Sequence, residues 1–261
     1  MLRDRIIPCL LLSGSGFVKS KRFANHRYIG DPINTLKLFN DKFADEIIVL
    51  DIDASRKGSE INYTLIQELT GELFMPLTYG GGLKSIDEIA RIIASGVEKV
   101  SINSRNAEDL ELIRQASQRY GAQSVVASID VDRNLFGRQQ VVYQSARNKL
   151  KTTPEKYAAE LEAAGAGEIL LQSVFLDGMQ TGYDIETVKS VVASVDVPVI
   201  ALGGAGNIRD MAKVIVYGGA AGAAAGSIFV YHGDLDGILI NMPSEEKRIR
   251  TFDEIRKLRK R

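Results

Sequence analysis

The chain has 261 residues, 45% of them apolar and 25% charged, with 33 basic and 33 acidic side chains that leave no net charge. That balance describes a globular chain with ample core, and it excludes an overall electrostatic pull toward nucleic acid or an anionic membrane surface, so charge preferences must be local. The one cysteine, Cys9, precludes an internal disulfide and lies inside an apolar run, where it reads as a small buried hydrophobe. Two separated histidines and one cysteine make no ligand set, so neither a metal nor a cofactor is expected. No apolar stretch approaches the roughly 20 residues of a membrane span and the start lacks a signal-peptide layout, from which a cytoplasmic location is expected.

Short runs rich in Val and Ile alternate along the chain with stretches of helical period. The runs are IIPCLLL (6–12), EIIVLDI (46–52), MPLTYG (75–80), KVSIN (99–103), SVVASIDV (124–131), EILLQS (168–173), VPVIALGG (197–204) and AAGAAAGSIF (220–229). Such alternation predicts repeated βα units around a parallel sheet, and eight units predict a closed (β/α)8 TIM barrel forming a single domain. Among the helices, DPINTLKLFNDKFA is capped by Asp31 with Pro32 in its first position, and SIDEIARIIASG is capped by Ser85 and ended by Gly96. Residues 78–104 echo 201–227, and 46–63 echo 168–184, at an offset of 122 or 123 residues. The echo predicts duplicated half-barrels over about 1–122 and 123–243. From Ser244 the tail predicts a surface helix with Ile249, Phe252 and Ile255 at helical spacing; its eight basic residues are interspersed with four acids, which argues against nucleic-acid binding.

Function in a parallel barrel collects at the carboxyl ends of the strands. Gly80, Gly81 and Gly82 follow the third run and Gly203, Gly204 and Gly206 the seventh, while Asn103 and Ser104 end the fourth and Gly226 and Ser227 the eighth. Glycines let backbone N–H groups approach a phosphate, although tight βα turns need them too. Their recurrence in both halves suggests a ligand with a phosphate at each end. Asp130 ends the fifth run, where a carboxylate serves as general acid or base or caps the next helix. Asp177 either contacts ligand hydroxyls or orders its own loop, and Asp51 and Asp53 are equally open. The loop SGSGFVKSKRFANHRYIG carries Lys19, Lys21, Arg22 and Arg27 without an acid, which suits closure over an anion. At the opposite strand ends Arg5, Glu46, Lys99 and Glu168 each precede an apolar run, and these alternating charges suggest a ring of ion pairs on the barrel floor, serving stability or opening for a small polar molecule.

RIIPCL, GDP (30–32), LTYGGGLKSIDEI, GVEKVSINS, GAGEILLQS, DGMQTGYD and GGAGN together resemble the cyclase subunit family of imidazole glycerol phosphate synthase, over nearly all of residues 1–230. The resemblance implies a barrel that docks a glutaminase on its floor, passes ammonia through the interior and uses it at the top on a bis-phosphorylated ribonucleotide. It implies catalytic roles for Asp130 and Lys19. It implies one phosphate site at Gly82, Asn103 and Ser104, a second at Asp177, Gly178, Gly204, Gly226 and Ser227, and an ammonia gate at Arg5, Glu46, Lys99 and Glu168.

The opening strand departs from that pattern. Where the family carries CLDV, with a second catalytic aspartate, this chain has Leu11, and a leucine transfers no protons. Gln172 and Leu202 likewise replace small hydroxylated residues near the second phosphate site. A retained gate with a lost acid implies a paralogue that supplies ammonia for acetamidino modification of bacterial surface sugars such as lipopolysaccharide, together with a glutaminase and a separate sugar amidotransferase. The alternatives are an authentic histidine-pathway cyclase, in which Asp51 or Asp53 substitutes for the missing acid, and a non-catalytic phosphometabolite-binding regulator of a glutaminase.

Overall fold

Side chains alternate faces along a strand, so each apolar run supplies one row to the barrel interior and one to the surrounding helices. A computed structural model of the chain describes residues 4–57, 59–103, 109–134, 136–233 and 235–259. Its parallel strands are β1 (Arg5–Ser13), β2 (Ile47–Asp51), β3 (Leu77–Gly80), β4 (Lys99–Ile102), β5 (Val125–Arg133), β6 (Glu168–Ser173), β7 (Val199–Leu202) and β8 (Gly222–Ala225). Each pairs with the next, and β8 returns to β1 from Arg5↔Gly222 to Pro8↔Ala225, which closes the (β/α)8 barrel. Ile7, Ile48, Val126, Leu170, Ile200 and Ala224 pack together inside it, while Ile6, Leu10, Ile47, Val49, Val100 and Ile102 face the helical layer.

Local signals at the helix starts act as their chemistry requires. Asp31 accepts from the Asn34 N–H ahead of helix Pro32–Asp41, and Ser85 with Glu88 forms a reciprocal capping box ahead of Ile86–Ala94. No helix among the described residues is long and apolar enough to cross a membrane.

Three expectations are corrected. The last apolar run is a strand only over Gly222–Ala225, because Gly226 turns the chain (φ −113°, ψ −59°) into the helical turn Ser227–Val230. The first basic loop is an antiparallel hairpin, Gly16–Lys21 against Ala24–Gly30, extending from the end of β1 through Leu11↔Val18 and Leu12↔Phe17. Its outer strand is exposed from Ala24 to Tyr28, so it lacks the apolar alternation by which strands are read. In the tail, helix Glu245–Arg259 buries Phe252 and Ile255 but leaves Ile249 57% exposed. Thr251 and Arg248 take the inward positions of that turn, with Arg248 paired to Asp45 at 2.8 Å.

Candidate functional site

The floor follows from one residue at the start of each of four strands. Arg5 donates through Nε to Glu46 Oε1 and through Nη1 to Glu168 Oε1, both at 2.6 Å. Lys99 lies 2.9 Å from Glu168 Oε2 and 3.7 Å from Glu46 Oε2, so the four side chains close a ring of alternating charge. Burial alone would lower the Arg5 pKa, but its bonds to the two glutamates outweigh that and raise it. Arg5 and Lys99 are each about a quarter exposed at the side chain, and the glutamates are under a tenth.

Above the ring the interior is lopsided. Along β4 the inward positions are Lys99, Ser101 and the following Asn103, and along β5 they are Val126, Ser128 and Asp130. Thr78, Ser101 and Ser128 are each 4% exposed. Ile7 and Ile200 stand on the far strands β1 and β7, while Leu170 lies beside Ser128 in register and begins the apolar wall. A file of hydroxyls thus rises on one wall from the floor ring toward the mouth, with an apolar wall opposite.

The mouth opens as a cavity of about 700 Å³, open to solvent, whose lining includes Leu11, Asp51, Ser101, Asn103, Ser128, Asp130 and Gln172. Asp130 is 4% exposed, and its Oδ2 accepts from Asn103 Nδ2 at 2.9 Å. Its Oδ1 is buried with no hydrogen-bond partner among the described residues. Burial pushes the Asp130 carboxyl up to about 7, against the lowering effect of Asn103. A carboxyl poised there is suited to proton transfer. Leu11, 7% exposed, adds only methyl groups to the same cavity.

The other two candidate acids are occupied. Asp51 Oδ1 accepts from the N–H groups of Asp53 and Ala54, both at 3.0 Å, and Oδ2 from the Tyr79 hydroxyl at 3.3 Å. Burial raises its pKa in spite of these bonds. Asp53 binds Ser13 Oγ at 3.0 Å, Gly14 N at 2.9 Å and Lys57 Nζ at 3.0 Å. These partners overcome the effect of burial and hold it below the usual carboxylate range. Both aspartates therefore secure the short helix Ile52–Lys57 and the exit of β1.

Opposite, Lys19, Asp177, Gly178, Gly204, Gly226 and Ser227 line a second, smaller pocket. Gly178 and Gly204 have φ of +68° and +105°, a region that side chains rarely adopt. Gly226 answers a different need: a Cβ there would collide with the Lys19 ammonium and come within 2.9 Å of the Cys9 carbonyl. Cys9 is fully buried and its thiol is pushed up to about 12 by burial, as befits a structural side chain. The Asp177 carboxylate turns to the hairpin, accepting from Ser20 Oγ at 2.7 Å and from Phe23 N at 3.3 Å, while its carbonyl accepts from Arg22 N at 3.0 Å. Neither sequence reading names this contact: the side chain orders the first hairpin rather than the loop in which Asp177 itself lies.

The other proposed phosphate site is only partly in view. Asn103 bonds to Asp130, Gly82 packs with its α-carbon toward Ala54, and Ser104 lies outside the described residues. Sequence reasoning missed Ser20, Phe23 and Ser145, which line the central cavity from two hairpins, and read His26 as a solvent-facing loop residue although it lines the same cavity. Ser145 follows Gln139–Tyr143, a strand antiparallel to the end of β5 as Gly16–Lys21 is to the end of β1. Ser101 and Ser128 were legible from the period of two counted from Lys99 and Asp130.

Comparison with known proteins agrees with this geometry. The family model described as histidine biosynthesis protein matches residues 5–236. A Pseudomonas aeruginosa protein provisionally named as an imidazole glycerol phosphate synthase subunit is 46% identical over 247 residues, covering 95% of this chain and 98% of its own. A similarly named Leptospira interrogans protein is 43% identical over 253 residues, 97% of this chain and 100% of its own. The imidazole glycerol phosphate synthase subunit HisF of Alkaliphilus metalliredigens is 39% identical over 232 residues, covering 89% and 92%. With the barrel, its charged floor and its glycine-lined mouth already in place, these matches lead to one assignment: the chain belongs to the histidine biosynthesis protein family, as a HisF-like, cyclase-type member of the imidazole glycerol phosphate synthase subunit family.

Proposed function

We propose that this chain is an ammonia-channelling subunit that works in the cytoplasm with a glutaminase at its floor and supplies ammonia for acetamidino modification of bacterial surface sugars, a separate sugar amidotransferase making the final transfer. One observation carries the reading: the ring of Arg5, Glu46, Lys99 and Glu168 is complete while Leu11 stands where the family pattern places an acid. The machinery for admitting ammonia is kept and half of the proton-transfer machinery for cyclisation is missing. Loosening the 3.7 Å contact between Lys99 and Glu46 would open the ring, and Ser101 and Ser128 offer hydrogen bonds on the way to Asn103 and Asp130. Asp130, partly protonated near neutrality, is placed to hold a proton in the central cavity, and Lys19 lines the smaller pocket where an anionic ligand would sit.

The deciding experiment combines the chain with a glutaminase and offers the phosphoribosyl-formimino precursor of imidazole glycerol phosphate. Glutamine-dependent ammonia production without cyclisation is expected. Formation of imidazole glycerol phosphate and aminoimidazole carboxamide ribonucleotide at ordinary enzymatic rates overturns the proposal. The competing reading, an authentic cyclase using Asp51, draws on the raised pKa of that cavity-lining residue. Against it stand the three hydrogen bonds that fix both Asp51 oxygens. Rescue of a cyclase-deficient histidine auxotroph by the unmodified chain decides in its favour.

A further inference from the structure

The central cavity and the smaller pocket share two lining residues, Leu11 and Gln172. These project from β1 and β6, so the line between them cuts the barrel mouth like a chord. Strands β2 to β5, with Asn103 and Asp130, lie on one side, and β7 and β8, with Gly204 and Gly226, on the other. Leu11 is 7% and Gln172 5% exposed, so both side chains are buried where the two cavities meet. Gln172 sits in register between Asp130 of β5 and Leu202 of β7, and Leu202 joins Leu11 in facing the smaller pocket with hydrocarbon.

From this geometry we infer that Leu11 and Gln172 are specificity-determining residues, which confine recognition to a singly phosphorylated ligand and deny a ligand with a phosphate at each end the affinity of its second phosphate. The inference rests on the proposal that the pocket of Gly204, Gly226 and Ser227 takes an anion. An independent observation supports that pocket. Lys19 is 6% exposed, its ammonium lies against Gly226, and that ammonium makes no hydrogen bond or ion pair among the described residues. A buried cation without a partner is costly, and a bound anion supplies the missing charge. A ligand reaching from that anion site to Asn103 must cross the partition. Its polar linker would lose water against Leu11 and Leu202, which return no hydrogen bond, and Gln172 would have to swing away. The second phosphate then adds little affinity.

Calorimetric titration of the chain with glycerol 3-phosphate and with the bis-phosphorylated formimino ribonucleotide tests this. Glycerol 3-phosphate is expected to bind, and Lys19→Ala to weaken it about tenfold. The ribonucleotide is expected to bind within about threefold of glycerol 3-phosphate. Opening the partition with Leu11→Ala and Gln172→Thr together is expected to tighten the ribonucleotide about tenfold and leave glycerol 3-phosphate within about threefold. Gln172→Thr alone, which preserves the packing of Leu11, is expected to move the ribonucleotide in the same direction and serves where the double variant fails to fold. The inference is overturned if the unaltered chain prefers the ribonucleotide tenfold or more, if opening the partition leaves that ligand unmoved, or if glycerol 3-phosphate does not bind. Ammonia delivery is read separately, from glutamine-dependent release in the presence of a glutaminase and without phosphate ligands. A failure of selectivity therefore leaves the delivery reading standing, and the reverse also holds.

Discussion

Asn103 donates through Nδ2 to Asp130 Oδ2 at 2.9 Å, and the second oxygen of that carboxyl is left buried without a hydrogen-bond partner among the described residues. Asparagine can satisfy one oxygen but cannot neutralise the charge, which is why burial prevails and the group titrates near 7. In the unfolded chain a carboxyl titrates at about 3.9, so the folded state binds the proton more tightly. The associated stability is present in full at low pH, declines as pH rises between those two values, and is lost above about 7. Asp130→Asn removes the titration. Its stability relative to the unaltered chain is expected to rise by about 2–3 kcal/mol between pH 5 and pH 8, read from denaturant midpoints at the two pH values.

The floor ring makes an asymmetric prediction. Arg5 holds both glutamates, whereas Lys99 holds Glu168 closely and Glu46 loosely. Arg5→Met therefore strands more buried negative charge than Lys99→Met does. Removing one partner of a fully buried pair costs ~3–5 kcal/mol; because Arg5 is 26% exposed at the side chain, its loss is expected to cost about 2–3 kcal/mol. Lys99→Met is expected to cost about half as much. Thermal unfolding of both variants checks the order, and a larger loss for Lys99→Met would show that Arg5 does not organise the ring.

Much of this architecture was legible in the sequence for a simple reason. Arg5, Glu46, Lys99 and Glu168 stand at the starts of apolar runs, and closure of a parallel barrel necessarily gathers such positions at one end. The partners each would choose were not legible, since that depends on which strands face one another across the lumen. The first hairpin escaped detection because Lys19, Lys21, Arg22 and Arg27 read as a charged loop and its outer strand, exposed from Ala24 to Tyr28, lacks apolar alternation. What holds it is Asp177, more than 150 residues away along the chain and close only after folding. The partition by Leu11 and Gln172 is of the same kind. Each residue stands out singly as a departure from the family pattern, and their shared role exists only because the fold sets β1 and β6 on either side of β7 and β8.

The contact between Asp177 and the hairpin predicts a latch. Its carboxylate and carbonyl together receive the Ser20 hydroxyl and the N–H groups of Phe23 and Arg22. Arg22 and Phe23 have φ of +52° and +60°, so the turn they form is strained and leans on these bonds. Asp177→Ala is expected to cost about 1–3 kcal/mol and to speed hydrogen exchange over residues 16–30 while leaving the floor strands protected. Uniform acceleration across the barrel would mean that Asp177 supports the whole fold rather than the hairpin.

Gly226 approaches the Lys19 ammonium closely. The φ of Gly226 is −113°, which any residue can adopt, so the demand for glycine here is one of space and not of backbone conformation. A methyl group would meet the Lys19 ammonium and, at 2.9 Å, the Cys9 carbonyl. Gly226→Ala is therefore expected to destabilise by about 1–3 kcal/mol, the usual range for an overpacked site. In a Lys19→Ala background the ammonium is gone and the carbonyl remains, so the same substitution should cost less but still something. The difference, a coupling of about 1 kcal/mol, is measurable as a double-mutant cycle in denaturant midpoints. Strict additivity would place the Lys19 ammonium away from Gly226 and withdraw the buried cation from the smaller pocket.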